Sequence, residues 1–292
     1  MPLIEKLIGR PPQPTVLIMA PTRELALQIN DEFKIFSQGL RLFSALVVGG
    51  TDINRQIREL KRGQHVIIGT PGRLRDLMNR GQIDLSKVAC LVLDEADRML
   101  DMGFVNDIRS IIQDLPEKRQ TLFFSATITQ SIRVLIDEFL TDHIEISVRT
   151  ADTSERVDQD VLYANTKEEK LEQLIALLQS PEFEKTLVFG ETKFGVQRLS
   201  DHIEKIGISS VAIHGNKSQP QRQRALRAFK DNTAKVMVAT DVAARGLDIP
   251  NVTHVINFDQ PMTYEDYVHR IGRTGRAGAT GKALTFVPRN NQ

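Results

Sequence analysis

The sequence predicts an α/β protein of two domains, each a parallel sheet covered by helices on both faces. Three observations lead there. Short apolar, β-rich runs alternate with amphipathic stretches along nearly the whole chain, the rhythm of strand-helix-strand units. The length of 292 residues suits two cores of ordinary size better than one. The alternation pauses once, at Arg149 to Asp160, a polar stretch with almost no apolar residues, which reads as an interdomain linker. The expected division is a first domain over 1–149, a linker over 150–160 and a second domain over 161–292.

In the first half the apolar runs Thr15 to Ala20, Phe43 to Val48, His65 to Gly69, Val88 to Leu93 and Thr121 to Phe124 read as strands. Helical patterns at Glu24 to Phe36, Ile53 to Lys61 and Gly72 to Arg80 lie between them. After the pause, strands are expected at Thr186 to Phe189, Ser210 to Ile213, Lys235 to Ala239, Thr253 to Phe258 and Ala283 to Val287. The helices there are Glu168 to Leu178, Phe194 to Lys205 and Gln219 to Lys230. No short repeat or low-complexity tract is present, so the likeness between the halves is architectural.

Bulk properties exclude more than they suggest. Hydrophobic residues at 41% and charged residues at 26% describe an ordinary globular chain. With Lys+Arg 38 against Asp+Glu 37 the net charge is +1, so any nucleic-acid site must come from locally placed groups and not from a global basic field. The single cysteine, Cys90, lies inside an apolar run, where a small core side chain is the expectation and a reducing compartment follows. No apolar segment approaches a membrane span and no cleavable leader is seen, so the cytoplasm is the expected address and no membrane partner is expected.

Ligands of α/β sheets gather at the carboxyl ends of the strands, and most of the unusual residues fall there. Asp94 and Glu95 end the run Val88 to Leu93. Adjacent carboxylates at the tip of a buried strand suit a phosphate-bound Mg2+, with Asp94 in its shell and Glu95 polarising the attacking water. Taken alone, such a pair also opens solvated helices. Asp97 completes the tetrad with Ala96, and Ser125 and Thr127 follow the next strand, where hydroxyls can relay contacts between domains; they also cap helices routinely. The segment His269 to Arg276 reads HRIGRTGR. Arg273 and Arg276, three apart among glycines, are candidate arginine fingers. His269 and Arg270 are expected to tie this segment to the acidic motif at the nucleotide.

A second set looks built for a phosphodiester track. It comprises Pro21, Thr22 and Arg23 with Glu24, then Gly49 and Gly50, then Thr70, Pro71, Gly72 and Arg73, each at a strand-to-helix junction. Backbone amides, hydroxyls and an arginine donate to phosphate oxygens there, and glycines permit close approach. Singly, each is ordinary turn chemistry. With no Trp and 3 Tyr, no aromatic platform is apparent, so backbone recognition with little sequence preference is expected.

Taken in order, PTRELA, GG, TPGR, DEAD, SAT, VATDVAARGLD and HRIGRTGR resemble the motif series of the DEAD-box helicase family, over about Thr15 to Pro288. The wording DEADRMLDMGF and AIHGNKSQ is most similar to the bacterial RhlE-type branch. The resemblance implies two RecA-like domains that close on ATP and single-stranded RNA and pull apart short duplex RNA locally, with hydrolysis releasing the strand. By resemblance, His214, Gly215, Gln219, Arg222, Thr240 and Asp241 supply the second half of the RNA track. Asp248 contacts the nucleotide ribose, with Arg245 anchoring its loop. Asp97, Ser125, Thr127, His269 and Arg270 belong with the nucleotide. A monomer is expected, and protein partners are not indicated.

The same resemblance raises an expectation of truncation. Family members carry an adenine-reading segment and a GxxxxGKS/T loop before the first strand seen here, whereas Met1 to Ile4 resemble the tail of the helix that follows that loop. The first domain is therefore expected to be incomplete, with a sheet edge unpaired, apolar surface uncovered and ATP hydrolysis impaired. A non-catalytic RNA-binding or regulatory fragment is the alternative.

Overall fold

A computed structural model describes residues 2–147, 157–244, 247, 249–275 and 280–289. The chain divides into two compact units, Met1–Glu145 and Ile146–Gln292.

Unit 1 runs α1 (Pro2–Leu7), β1 (Val16–Met19), α2 (Arg23–Phe36), β2 (Ser44–Val47), α3 (Ile53–Leu60), β3 (Val66–Gly69), α4 (Pro71–Asn79), β4 (Cys90–Leu93), α5 (Ala96–Asp101), α6 (Val105–Gln113), β5 (Gln120–Phe123) and α7 (Gln130–Phe139). The strands form one parallel sheet in the order β2-β3-β1-β4-β5. The pleat sorts their residues between two cores. Leu17, Ile67 and Leu91 pack on one face with Leu74, Ile108 and Ile132 of the helices. Val16, Val66 and Cys90 pack on the other with Ala26 and Leu7. Burial on both faces explains why these strands read as unbroken apolar runs. Three of the helices begin where a short side chain takes over a first free amide: Thr22 accepts from Leu25 N–H, Asp52 from Asn54 N–H, and Thr129 from Ile132 N–H. β5 ends the sheet, all four of its residues are partly or fully exposed, and Phe124 beyond it is 54% exposed.

Unit 2 runs β6 (Val157–Tyr163), α8 (Lys167–Gln179), β7 (Thr186–Phe189), α9 (Lys193–Lys205), β8 (Ser210–Ile213), α10 (Gln219–Lys230), β9 (Val236–Ala239), α11 (Asp241–Ala244), β10 (His254–Asn257), α12 (Tyr264–Ile271) and β11 (Gly281–Val287). Its parallel sheet has the order β6-β11-β10-β7-β9-β8, again between two cores.

The ten expected strands and six expected helices are present, with ends shifted by no more than two residues. The linker needs correction. Val157 to Asp160, expected in it, pair residue for residue with Gly281 to Leu284, while residues 150–156 lie outside the described set. β6 is an edge strand whose residues after Val157 are nearly all exposed, so its polar sequence mimics a loop. Three helices of unit 1 (α5, α6, α7) and two of unit 2 (α11, α12) were not among the expected elements; α5 and α11 are too short to show a period.

Close approach fixes Gly69 at the end of β3. A Cβ there would lie 2.4 Å from the Val47 carbonyl oxygen and 3.0 Å from Leu74 Cγ. Gly69→Ala is expected to destabilise unit 1 by about 2 kcal/mol through overpacking, read as a lower urea midpoint; an unchanged midpoint would refute this packing.

Candidate functional site

In unit 1 the chain leaves β4 through Asp94, whose N–H donates to the Met19 carbonyl at 3.0 Å. Asp94 Oδ1 accepts from Glu95 N–H at 3.0 Å. Glu95 then turns the backbone into α5 with φ 49° and ψ 53°, a left-handed conformation that costs a residue with a Cβ about 1 kcal/mol or more. Its carboxylate meets Arg98 Nη1 at 2.8 Å. Asp97 is buried. Its Oδ2 accepts from Ala126 N–H at 3.1 Å, Thr127 N–H at 3.0 Å and Thr127 Oγ1 at 3.1 Å. Ser125 Oγ donates to the Thr127 carbonyl at 2.7 Å. Asp97, Ser125 and Thr127, expected at the nucleotide, thus clamp the loop after β4 to the loop after β5; a buried carboxylate among amides takes the nearest donors.

Burial first, then the charge of Glu95, push the Asp94 carboxyl above its ordinary value; the N–H bond from Glu95 pulls the other way without cancelling them, and the charge of Asp97 adds to the rise. An acid that is costly as an anion favours an incoming cation. Among the described residues no group of three His, Cys, Asp or Glu can hold a metal alone. An ion such as Mg2+ takes one or two carboxylates and completes its shell with phosphate oxygens and water; of this acid pair Asp94 is the one that would suit it, while Glu95 is turned towards Arg98.

The track residues of unit 1 come together at the ends of β1, β2 and β3. A Cβ on Gly50, at φ +72°, would lie 2.0 Å from Arg23 Nη1, and one on Gly49 would lie 3.6 Å from Arg23 Nη2, so the glycine pair is the bed of that guanidinium. Arg73 Nη1 donates to the Thr51 carbonyl at 3.3 Å, tying the TPGR junction to the same loop. Thr22 caps α2; Thr70 precedes α4, with Pro71 in the first turn and no side-chain cap bond. Gln56, which the sequence did not single out, holds both the N–H and the carbonyl of Val48.

In unit 2, His214 follows β8 and is buried. Asp201 accepts from Gln197 Nε2 at 2.6 Å, which turns Gln197 Oε1 towards His214 Nε2 at 3.0 Å. That chain sets the tautomer with hydrogen on Nε2. Burial first, then Lys217, Arg222 and Lys193, push the imidazole below its ordinary value. Gly215 lies against Lys193, 3.2 Å from Cε to a Cβ built there. Gln219 and Arg222 open α10, and Thr240 N–H donates to the Ile213 carbonyl at 3.3 Å.

Arg270, in the last turn of α12, is 2% exposed. Its Nε and Nη2 donate to Asp241 Oδ1 and Oδ2 at 2.6 and 2.7 Å. Its Nη1 donates to Asn257 Oδ1 at 3.1 Å and to the Asp259 carbonyl at 2.7 Å. The guanidinium lies 5.0 Å from the Phe189 ring centre. Arg270 and Asp241, expected to contact nucleotide and RNA respectively, are therefore each other's partners, because a buried guanidinium requires its donors filled locally. Arg273, expected as a finger, is 8% exposed and donates from Nη1 to the Leu247 carbonyl at 2.6 Å. His269 shares the last turn of α12 with Arg270. Arg276, Asp248 and Arg245 lie outside the described residues. Asn257 and Asp259 were missed by the sequence reading; a polar residue closing the apolar run Val255–Ile256 was the available signal.

Two parallel sheets that each carry their polar motifs on the carboxyl edge define a tandem RecA-like protein. The chain matches the family described as DEAD/DEAH box helicase over residues 1–135 and the Helicase conserved C-terminal domain over residues 166–278. Among solved structures it is similar to Dbp5 of S. cerevisiae bound to RNA and ADP BeF3, with 30% identity, TM-score 0.82, and 96% of this chain and 73% of that chain covered. Mss116 bound to ssRNA and UDP-BeF matches at 28% identity and TM-score 0.88, with 99% and 63% covered. A DEAD box protein from Methanococcus jannaschii matches at 38% identity and TM-score 0.55, with 99% and 77% covered. This chain belongs to the DEAD-box RNA helicase family.

Asp97→Ala strands the N–H groups of Arg98, Ala126 and Thr127 and the Thr127 hydroxyl, and is expected to cost unit 1 about 3 kcal/mol; a denaturant midpoint equal to wild type would contradict the clamp. For His214 the folded value lies below the unfolded 6.5, so its contribution is complete above pH 6.5 and is lost as pH falls towards the folded value. His254, lowered chiefly by burial, acts in the same sense. Unit 2 is expected to weaken between pH 7 and 5, less steeply in His214→Asn; identical slopes in both proteins would remove His214 from that account.

Proposed function

We propose that this protein uses ATP to open short RNA duplexes locally. The observation that carries the reading is the half-buried Asp94 carboxyl at the tip of β4, held above its ordinary value chiefly by burial, next to a Glu95 backbone held in a left-handed turn. In this reading Asp94 sits in the shell of Mg2+ and Glu95 orients the attacking water after leaving Arg98. Mg2+ supplies charge neutralisation on the phosphates. Arg276, with Arg273 once released from Leu247, faces the developing charge, and Asp248 takes the ribose. Asp97, Ser125 and Thr127 hold the hydrolysis loop in place, and His269 and Arg270 hold the finger segment.

RNA lies along Pro21, Thr22, Arg23, Gly49, Gly50, Thr70, Pro71, Gly72 and Arg73 in unit 1, and along His214, Gly215, Gln219, Arg222 and Thr240 in unit 2, with Asp241 supporting from behind. Support comes from the Dbp5 and Mss116 complexes, which hold RNA with a nucleotide analogue. The wording DEADRMLDMGF and AIHGNKSQ supports the RhlE-type branch, and a cytoplasmic address and a monomer belong to the same proposal. No GxxxxGK[ST] segment occurs within the 292 residues. We propose that a polypeptide limited to them binds RNA but turns ATP over slowly.

The test is RNA-stimulated phosphate release, comparing the 292-residue polypeptide with one carrying a phosphate-loop segment fused upstream. Glu95→Gln in the active form is expected to cut turnover at least a hundredfold while RNA binding persists, and Arg276→Ala to slow it about a thousandfold. Wild-type turnover in either variant would remove that residue from its role.

A further inference from the structure

We propose that Asn257 is a positioning residue for the RNA track of unit 2, setting Arg270 and through it Asp241. The proposal rests on reading Thr240 and its neighbours as RNA-binding. Asn257 ends β10, is 0% exposed, and uses both ends of its amide. Nδ2 donates to Thr285 Oγ1 on β11 at 3.0 Å, and Oδ1 accepts from Arg270 Nη1 at 3.1 Å. Arg270 in turn grips Asp241 with two bonds. One side chain thus ties β11, β10, α12 and the junction after β9. Asp241 directly follows Thr240, and Arg270 lies three residues before Arg273, so the track and the arginine segment share one anchor.

The alternative is a packing residue that happens to be polar. In register, Asn257 stands beside Phe189 on β7, whose own neighbour on β9 is Ala239. A leucine would fill that layer at lower desolvation cost, since polar groups in a core are seldom retained for stability alone. What leucine lacks is an acceptor for Nη1 of Arg270. Arg270 also receives Asp259 and the Phe189 ring, but these limit its position from the other sides. Without Asn257 the guanidinium can slide towards Thr285 and carry Asp241 with it.

The test uses the full chain, with anisotropy of a fluorescein-labelled decauridylate RNA and the side-chain Nε–H resonance of Arg270, assigned by its loss in Arg270→Lys. Asn257→Leu is expected to weaken RNA binding about tenfold, the loss of one or two charge-assisted contacts, and to lose the exchange-protected Nε–H. Asn257→Asp keeps an acceptor for Arg270, and the Thr285 hydroxyl can turn to donate to it. It is expected to stay within about threefold of wild type with the resonance retained. Thr285→Val, which leaves the core filled, is expected to fall between the two and serves should Asn257→Leu fail to fold. Unchanged affinity in both Asn257→Leu and Thr285→Val, or equal losses in the Asp and Leu variants, overturns the proposal. Weaker binding with the Nε–H still protected overturns it as well. A wild-type chain that leaves the RNA free overturns the RNA reading itself, and the proposal with it.

Discussion

Strands of about four residues, buried on both faces, dictate where chemistry can sit in this molecule. β3, β4, β7, β9 and β10 have every residue buried, so a charged side chain within them would lose its hydration with nothing in return. Charge is displaced to the carboxyl ends. There the backbone leaves the sheet and free amides, hydroxyls and helix starts accumulate. The sheet does not perform the reaction; it decides which few positions can take part.

Charges at those ends fall into two kinds. Asp97 and Arg270 are buried and saturated, each filled by partners from its own unit. Their work is to hold one loop against another. Asp94 is different, since burial and the neighbouring carboxylates raise the cost of its charge and a single N–H bond from Glu95 offsets only part of it. The contrast separates the two aspartates more sharply than the motif letters do, because DEAD gives both the same symbol.

The sheet strands were legible because two-sided burial writes itself as short apolar runs, and the long helices because one face repeats. β6 was not, since an edge strand exposed along most of its length has the composition of a loop. Motif positions were legible; their partners were not. Arg270 and Asp241 are separated by 29 residues, and no local pattern announces that they neutralise each other. The bed that Gly49 and Gly50 provide for Arg23 likewise depends on a crossing of two loops. Sequence names the groups at the strand ends, whereas pairing among them follows from strand order.

The left-handed backbone at Glu95 has an evolutionary consequence. Glycine or asparagine would relax that turn, so selection for folding alone pulls the position away from glutamate. An acid that persists there does so against a conformational gradient. In a population of variants screened only for yield, the 95th codon is where drift should first erase the carboxylate.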